Sequence, residues 1–96
     1  MRRDAKTDGN QSAIVSALRA IGASVQSLHT VGGGVPDLLW WHPRSGYVLA
    51  EVKDGAKSAS RRKLTPDQVE WHAAWRGPVH VVESVEQAIA VAMGDE

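Results

Sequence analysis

Apolar residues recur at helical spacing over residues 10–21, where Ile14, Val15, Leu18 and Ile21 form one stripe. Asp8 or Asn10 can cap the start, and Gly22 can supply the left-handed residue at the end. Residues 25–29 alternate apolar and polar side chains, the pattern of a strand with one wet face. Residues 31–36 include Gly32, Gly33, Gly34 and Pro36 and form a loop. Residues 37–41 and 47–53 are apolar on successive positions, which predicts two central strands covered on both faces. The Pro and Gly of residues 42–46 favour a turn between them. Residues 54–63 are polar, basic and serine-rich, a further loop. Thr65-Pro66-Asp67-Gln68 carries the signals of a helix start: a capping Thr, a Pro at the first helical position and a Gln to close a capping box. That helix is expected to end at Gly77-Pro78. A short strand over 79–83 follows, and Ser84-Val85-Glu86-Gln87 opens a last helix reaching about Met93. The order predicts an α/β fold, a small mixed sheet flanked by helices with one helix at the C-terminal end. Residues 1–9 are polar and predict a flexible N-terminal arm, leaving 10–96 as one domain.

The length, 96 residues, admits one domain with a modest core. No apolar run is long enough to span a membrane, and Met1-Arg2-Arg3 leads into no secretory signal. The absence of cysteine excludes a disulfide framework and a thiolate metal site, and fits a reducing, cytoplasmic setting. Net charge is zero, which taken alone argues against a nucleic-acid partner. The sum hides an asymmetry. Residues 1–63 hold ten basic residues and five acids, whereas residues 64–96 hold one basic residue and six acids. A basic face and an acidic face are compatible with that split, as is an ordinary mixed surface.

Three polar residues stand where apolar ones are expected: Asp37 opens one central strand, and Glu51 and Lys53 close the next. Glu51 and Lys53 are two apart and share a strand face. Pairing Trp41 with Tyr47 sets Leu39 opposite Leu49 and Asp37 opposite Glu51, whereas a slip of one residue sends Asp37 to the other face. Two adjacent, partly buried carboxylates repel unless they share a proton or bind a cation. Open oxygen coordination suits Mg²⁺ or Mn²⁺, and a nearby lysine suits the charge of a phosphoryl group. The plainer alternative is a surface ion pair of Glu51 with Lys53, and a turn shaped by Asp37.

Pro36-Asp37, thirteen intervening residues, and then Glu51-Val52-Lys53 resemble the PD-(D/E)XK nuclease signature. Gly34-Val35-Pro36-Asp37-Leu38-Leu39, Leu49-Ala50-Glu51-Val52-Lys53 and Leu64-Thr65-Pro66-Asp67-Gln68-Val69-Glu70-Trp71 resemble its virus-type replication-repair nuclease (VRR-NUC) branch, in the small standalone form found in phages and bacteria. The resemblance covers most of the chain. It implies a restriction-endonuclease-like αβββαβ core and a metal-dependent DNA endonuclease. Asp37, Glu51 and the Val52 backbone carbonyl would hold Mg²⁺ or Mn²⁺, Lys53 would be the catalytic lysine, and Gln68 a further site residue. It also implies action on branched DNA such as four-way junctions, as a homodimer. The chain departs from the superfamily in its first helix: many members carry a glutamate ligand where this sequence offers only Asn10 and Gln11, with Asp8 upstream. Gln11 is the candidate contribution from that helix. The amide weakens the case for two tightly bound metals and leaves a one-metal mechanism open. Two other readings keep the fold without the chemistry: a DNA- or protein-binding module, and a structural interaction domain.

Lys57, Arg61, Arg62 and Lys63 form a basic loop just beyond Lys53, suited to DNA phosphates. Gln68, Trp71 and Trp75 share a helical stripe, so tryptophans that anchor the helix would carry Gln68 over the sheet face. Gly32-Gly33-Gly34 lacks the lysine of a phosphate-binding loop and suits either a tight approach to DNA or a partner, or a flexible turn. His29, His42, His72 and His80 lack zinc spacing and are expected at the surface or an edge, with His72 next to the Gln68 stripe. Trp40 and Trp41 cannot both be buried in so small a domain, which points one of them toward a dimer interface.

Overall fold

The computed structural model describes residues 9–95. Asp8 and all of the expected arm except Gly9 lie outside the described residues. The stripe of Ile14 and Leu18 forms helix α1 (Gln11–Ala20), both side chains being completely buried. Strand β1 (Ser24–Ser27) pairs antiparallel with β2 (Leu38–His42), and β2 pairs antiparallel with β3 (Gly46–Val52). A 3-10 turn at Ala59–Arg61 precedes helix α2 (Pro66–Ala74). Strand β4 (His80–Val82) then joins β3 in parallel, and α3 (Val85–Ala92) ends the order. The sheet runs β1-β2-β3-β4, mixed as expected.

Helices α1 and α3 cover one sheet face. Ile14, Leu18, Ala88, Val91 and Ala92 close over Leu38, Trp40, Val48, Ala50, Val52 and Val82 in one cluster. The other face is not covered in the same way, which corrects the expectation of two covered faces. Tyr47 is 79% exposed and Trp41 41% exposed, while Trp40 on the opposite face is 1% exposed. Among the described residues no helix is long and apolar enough to cross a membrane.

Further differences have local causes. Asn10 precedes α1, but its side chain makes no cap; its amide instead donates to the Lys53 and Glu83 carbonyls, both at 3.1 Å. His42 is the last residue of β2 rather than a turn residue, and alternation places it on the face of Leu38 and Trp40. It is therefore buried, with Nδ1 accepting from the Arg44 N–H at 3.1 Å and Nε2 donating to the Ile21 carbonyl at 3.0 Å. Helix α2 stops at Ala74, earlier than Gly77, because Trp75 adopts an extended backbone.

Candidate active site

The hairpin pairs Trp41 with Tyr47 and Leu39 with Leu49. One further step along the same register sets Asp37 opposite Glu51, at the end of the open face where α2 begins. Asp37 Oδ2 accepts the Val52 N–H at 2.8 Å, so the loop residue is pinned to the strand that carries Glu51. Glu51 is 2% exposed and Lys53 8% exposed, which is unusual burial for either residue type.

Gln68 joins them. Thr65 caps α2 by accepting the Gln68 N–H, and the Thr65 N–H donates to Gln68 Oε1 at 2.9 Å, completing the capping box. The same Oε1 accepts from Lys53 Nζ at 2.9 Å, and Nε2 donates to Glu51 Oε2 at 2.9 Å. This network fixes the amide orientation, because a flipped side chain would set its NH₂ against two donors and its oxygen against a carboxylate. Lys53 Nζ itself stands 4.0 Å from Glu51 Oε2. Capping and contact with the polar cluster are thus performed by one side chain.

His72, one turn further along α2, has a buried Nε2 with no hydrogen-bond partner among the described residues. Burial, and then the positive charge of Lys53, hold its pKa below the usual 6.5. It packs edge-on against Trp71, with ring centroids 6.0 Å apart. Trp75 stacks on Trp71 at 4.7 Å yet remains 47% exposed, so it is not buried in the core. Trp75 instead lines an apolar groove of about 450 Å³ with Leu39, Tyr47, Leu49 and Pro78.

Not every residue singled out from the sequence reaches the cluster. Gln11 is buried, and among the described residues its Oε1 has no hydrogen-bond partner and no hydrogen bond links it to Asp37, Glu51, Lys53 or Gln68. Within the basic loop, Arg61 and Lys63 are exposed, as is Lys57. Arg62 is tied down. It donates to Glu83 Oε1 at 3.0 Å and to the Lys57 carbonyl at 2.9 Å, bracing the loop against the end of β4. No local pattern reports this pairing, because Arg62 and Glu83 are 21 residues apart.

The donor set can be tested against a divalent cation. Among the described residues no group of three or more His, Cys, Asp or Glu side chains gathers. Two carboxylates, one of them with a single oxygen committed to the backbone, make a hard-oxygen site. Such a site fits Mg²⁺ or Mn²⁺, ions that keep several waters, and does not fit structural zinc.

A solved structure described as a VRR_NUC domain matches this fold with a TM-score of 0.63 and 30% sequence identity, covering 84% of this chain and 87% of that one. No family model and no curated protein matches the chain.

Proposed function

The chain belongs to the VRR_NUC family, a nuclease-type domain, and from that premise we propose that it is an Mg²⁺- or Mn²⁺-dependent endonuclease hydrolysing phosphodiester bonds of branched DNA, four-way junctions among them. Residues 10–96 would form one nuclease domain. The observation that carries this reading is the hydrogen-bonded bridge from Lys53 through Gln68 to Glu51, with Asp37 across the strand pair. A lysine and a carboxylate are both buried there, held apart by an amide that addresses each.

Asp37, Glu51 and the Val52 carbonyl are the groups that would hold the ion. A divalent ion supplies Lewis acidity to the phosphodiester and positive charge for its transition state. Lys53, held by Gln68, adds a second positive charge where the attacking oxygen meets phosphorus. The Asp37–Val52 bond fixes one carboxylate before substrate arrives, so less reorganisation is left to the reaction itself. Lys57, Arg61 and Lys63 are suited to flanking phosphates.

A symmetric cut across a junction requires two facing sites, which supports a homodimer. The open apolar face bearing Leu39, Trp41, Tyr47 and Leu49 supports the same state, since exposed apolar patches of this kind are commonly covered by a partner.

Incubating the full chain with linear and four-way-junction DNA, with Mg²⁺, with Mn²⁺ or with chelator, tests this reading. Junction DNA is expected to be cut in preference to linear DNA, and only with an ion present. Salt-dependent binding without cleavage in any arm would select the binding module instead.

A further inference from the structure

We propose that Gly34 is a positioning residue that registers α2, and with it Gln68, over Glu51 and Lys53. Helix α2 buries none of its residues; Val69 on it is about half exposed, as is Trp75 just past its end. Apolar burial therefore does not fix its position, yet Gln68 meets Lys53 and Glu51 at hydrogen-bonding distance. Something else must set where the first turn sits.

Gly34 occupies that place. Its φ is +85°, a conformation that favours glycine. A Cβ there would fall on the Asp67 carbonyl oxygen, 2.5 Å from its carbon and 3.0 Å from the Gln68 nitrogen. Backbone meets backbone, so neither side can yield by changing rotamer. The loop is anchored on its far side as well: Pro36 is buried, and Asp37 is bonded to Val52. The register of β2 on β3 is thereby passed through three residues to the turn that carries Gln68. Gly33 provides the contrast, with φ +67° and open space where its Cβ would stand.

Gly34→Ala and Gly33→Ala in the full chain separate the two effects. Both strain a left-handed backbone, and only the first adds a collision. The first readout needs no DNA. In Gly34→Ala the Gln68 side-chain amide resonances shift, and the Val69 amide, bonded to the Thr65 carbonyl, exchanges at least about tenfold faster. In Gly33→Ala both stay as in the parent. Unmoved Gln68 resonances in Gly34→Ala, or equal shifts in both variants, overturn the proposal. Should Gly34→Ala fail to fold, the parent chain decides: a nuclear Overhauser contact between the Gly34 α-protons and the Gln68 amide proton sustains the seat, and its absence overturns it.

The second readout rests on the proposed nuclease activity. Gly34→Ala lowers kcat about a hundredfold with KM little changed, matching Gln68→Ala, and the double variant is no slower than either single one. Additive losses overturn the link to Gln68. If the resonances move as expected while the parent chain cuts no DNA, the nuclease reading fails and the seat of α2 stands.

Discussion

The Lys53 ammonium lies 2.9 Å from Gln68 Oε1 and 4.0 Å from Glu51 Oε2, so an amide rather than a carboxylate is its hydrogen-bonded neighbour in this trio. Glu51 accepts the other end of the same amide. The arrangement keeps the lysine near Glu51 without fusing the two charges into a tight ion pair. Removal of Gln68 would let the ammonium close on the carboxylate proposed to hold the ion. Gln68→Ala is expected to slow cleavage about a hundredfold while DNA affinity changes little. Parallel binding and single-turnover assays check this.

Thr65→Ala removes the cap but leaves the Gln68 side chain its contacts with Lys53 and Glu51. It should lower the free energy of unfolding by about 1 kcal/mol in a denaturant titration. Its effect on cleavage should be much smaller than that of Gln68→Ala.

The basic loop divides by its contacts. Arg61→Ala and Lys63→Ala should weaken DNA binding uniformly across sequences and reduce the salt slope by about one each. Arg62→Ala should behave differently, because its guanidinium is held by Glu83 and the Lys57 carbonyl. It should cost up to about 1 kcal/mol of stability, the exposure of the pair limiting the effect. Affinity measured across a salt series, with a thermal melt of each variant, separates the two classes.

His42→Leu leaves the Ile21 carbonyl and the Arg44 N–H without their imidazole partner inside the fold. A loss of about 1–3 kcal/mol in denaturant unfolding is expected.

His72 gives the fold a dependence on pH. Its pKa in the folded chain lies below 6.5, through burial first and the charge of Lys53 second. The unfolded chain therefore takes up a proton before the folded one does. The contribution of His72 is complete above about pH 6.5 and is lost as pH falls from there through the lower folded pKa. Melting temperature measured from pH 8 to 5 should fall more steeply for the parent chain than for His72→Gln.

Much of this arrangement was legible in the sequence because short-range rules decide it. The short turn over 43–45 and the alternation of β2 and β3 set Trp41 against Tyr47, and that register carries Asp37 to Glu51. Thr65-Pro66-Asp67-Gln68 announced the helix start down to its capping box. The Pro and Gly of residues 42–46 make His42 look like a turn residue, although the period-two pattern of Leu38, Trp40 and His42 places it inside. The open sheet face leaves no such signal, because successive apolar residues in β2 and β3 look like two covered faces and no local pattern reports that Gln68 of α2 meets the sheet through polar contacts. Neither the Arg62–Glu83 pair nor the approach of Gly34 to α2 leaves a local signal, since each joins segments more than twenty residues apart.

Asp37 and Lys53 are proposed to act with a divalent ion in one site. This is tested most directly by single-turnover cleavage of four-way-junction DNA by the parent chain, Asp37→Ala and Lys53→Ala, each shown to be folded and to bind the junction. Cleavage by the parent is expected only with Mg²⁺ or Mn²⁺, with a rate lower by at least about a hundredfold in each variant. Equal rates in all three proteins, or no cleavage by the parent with either ion, would contradict it.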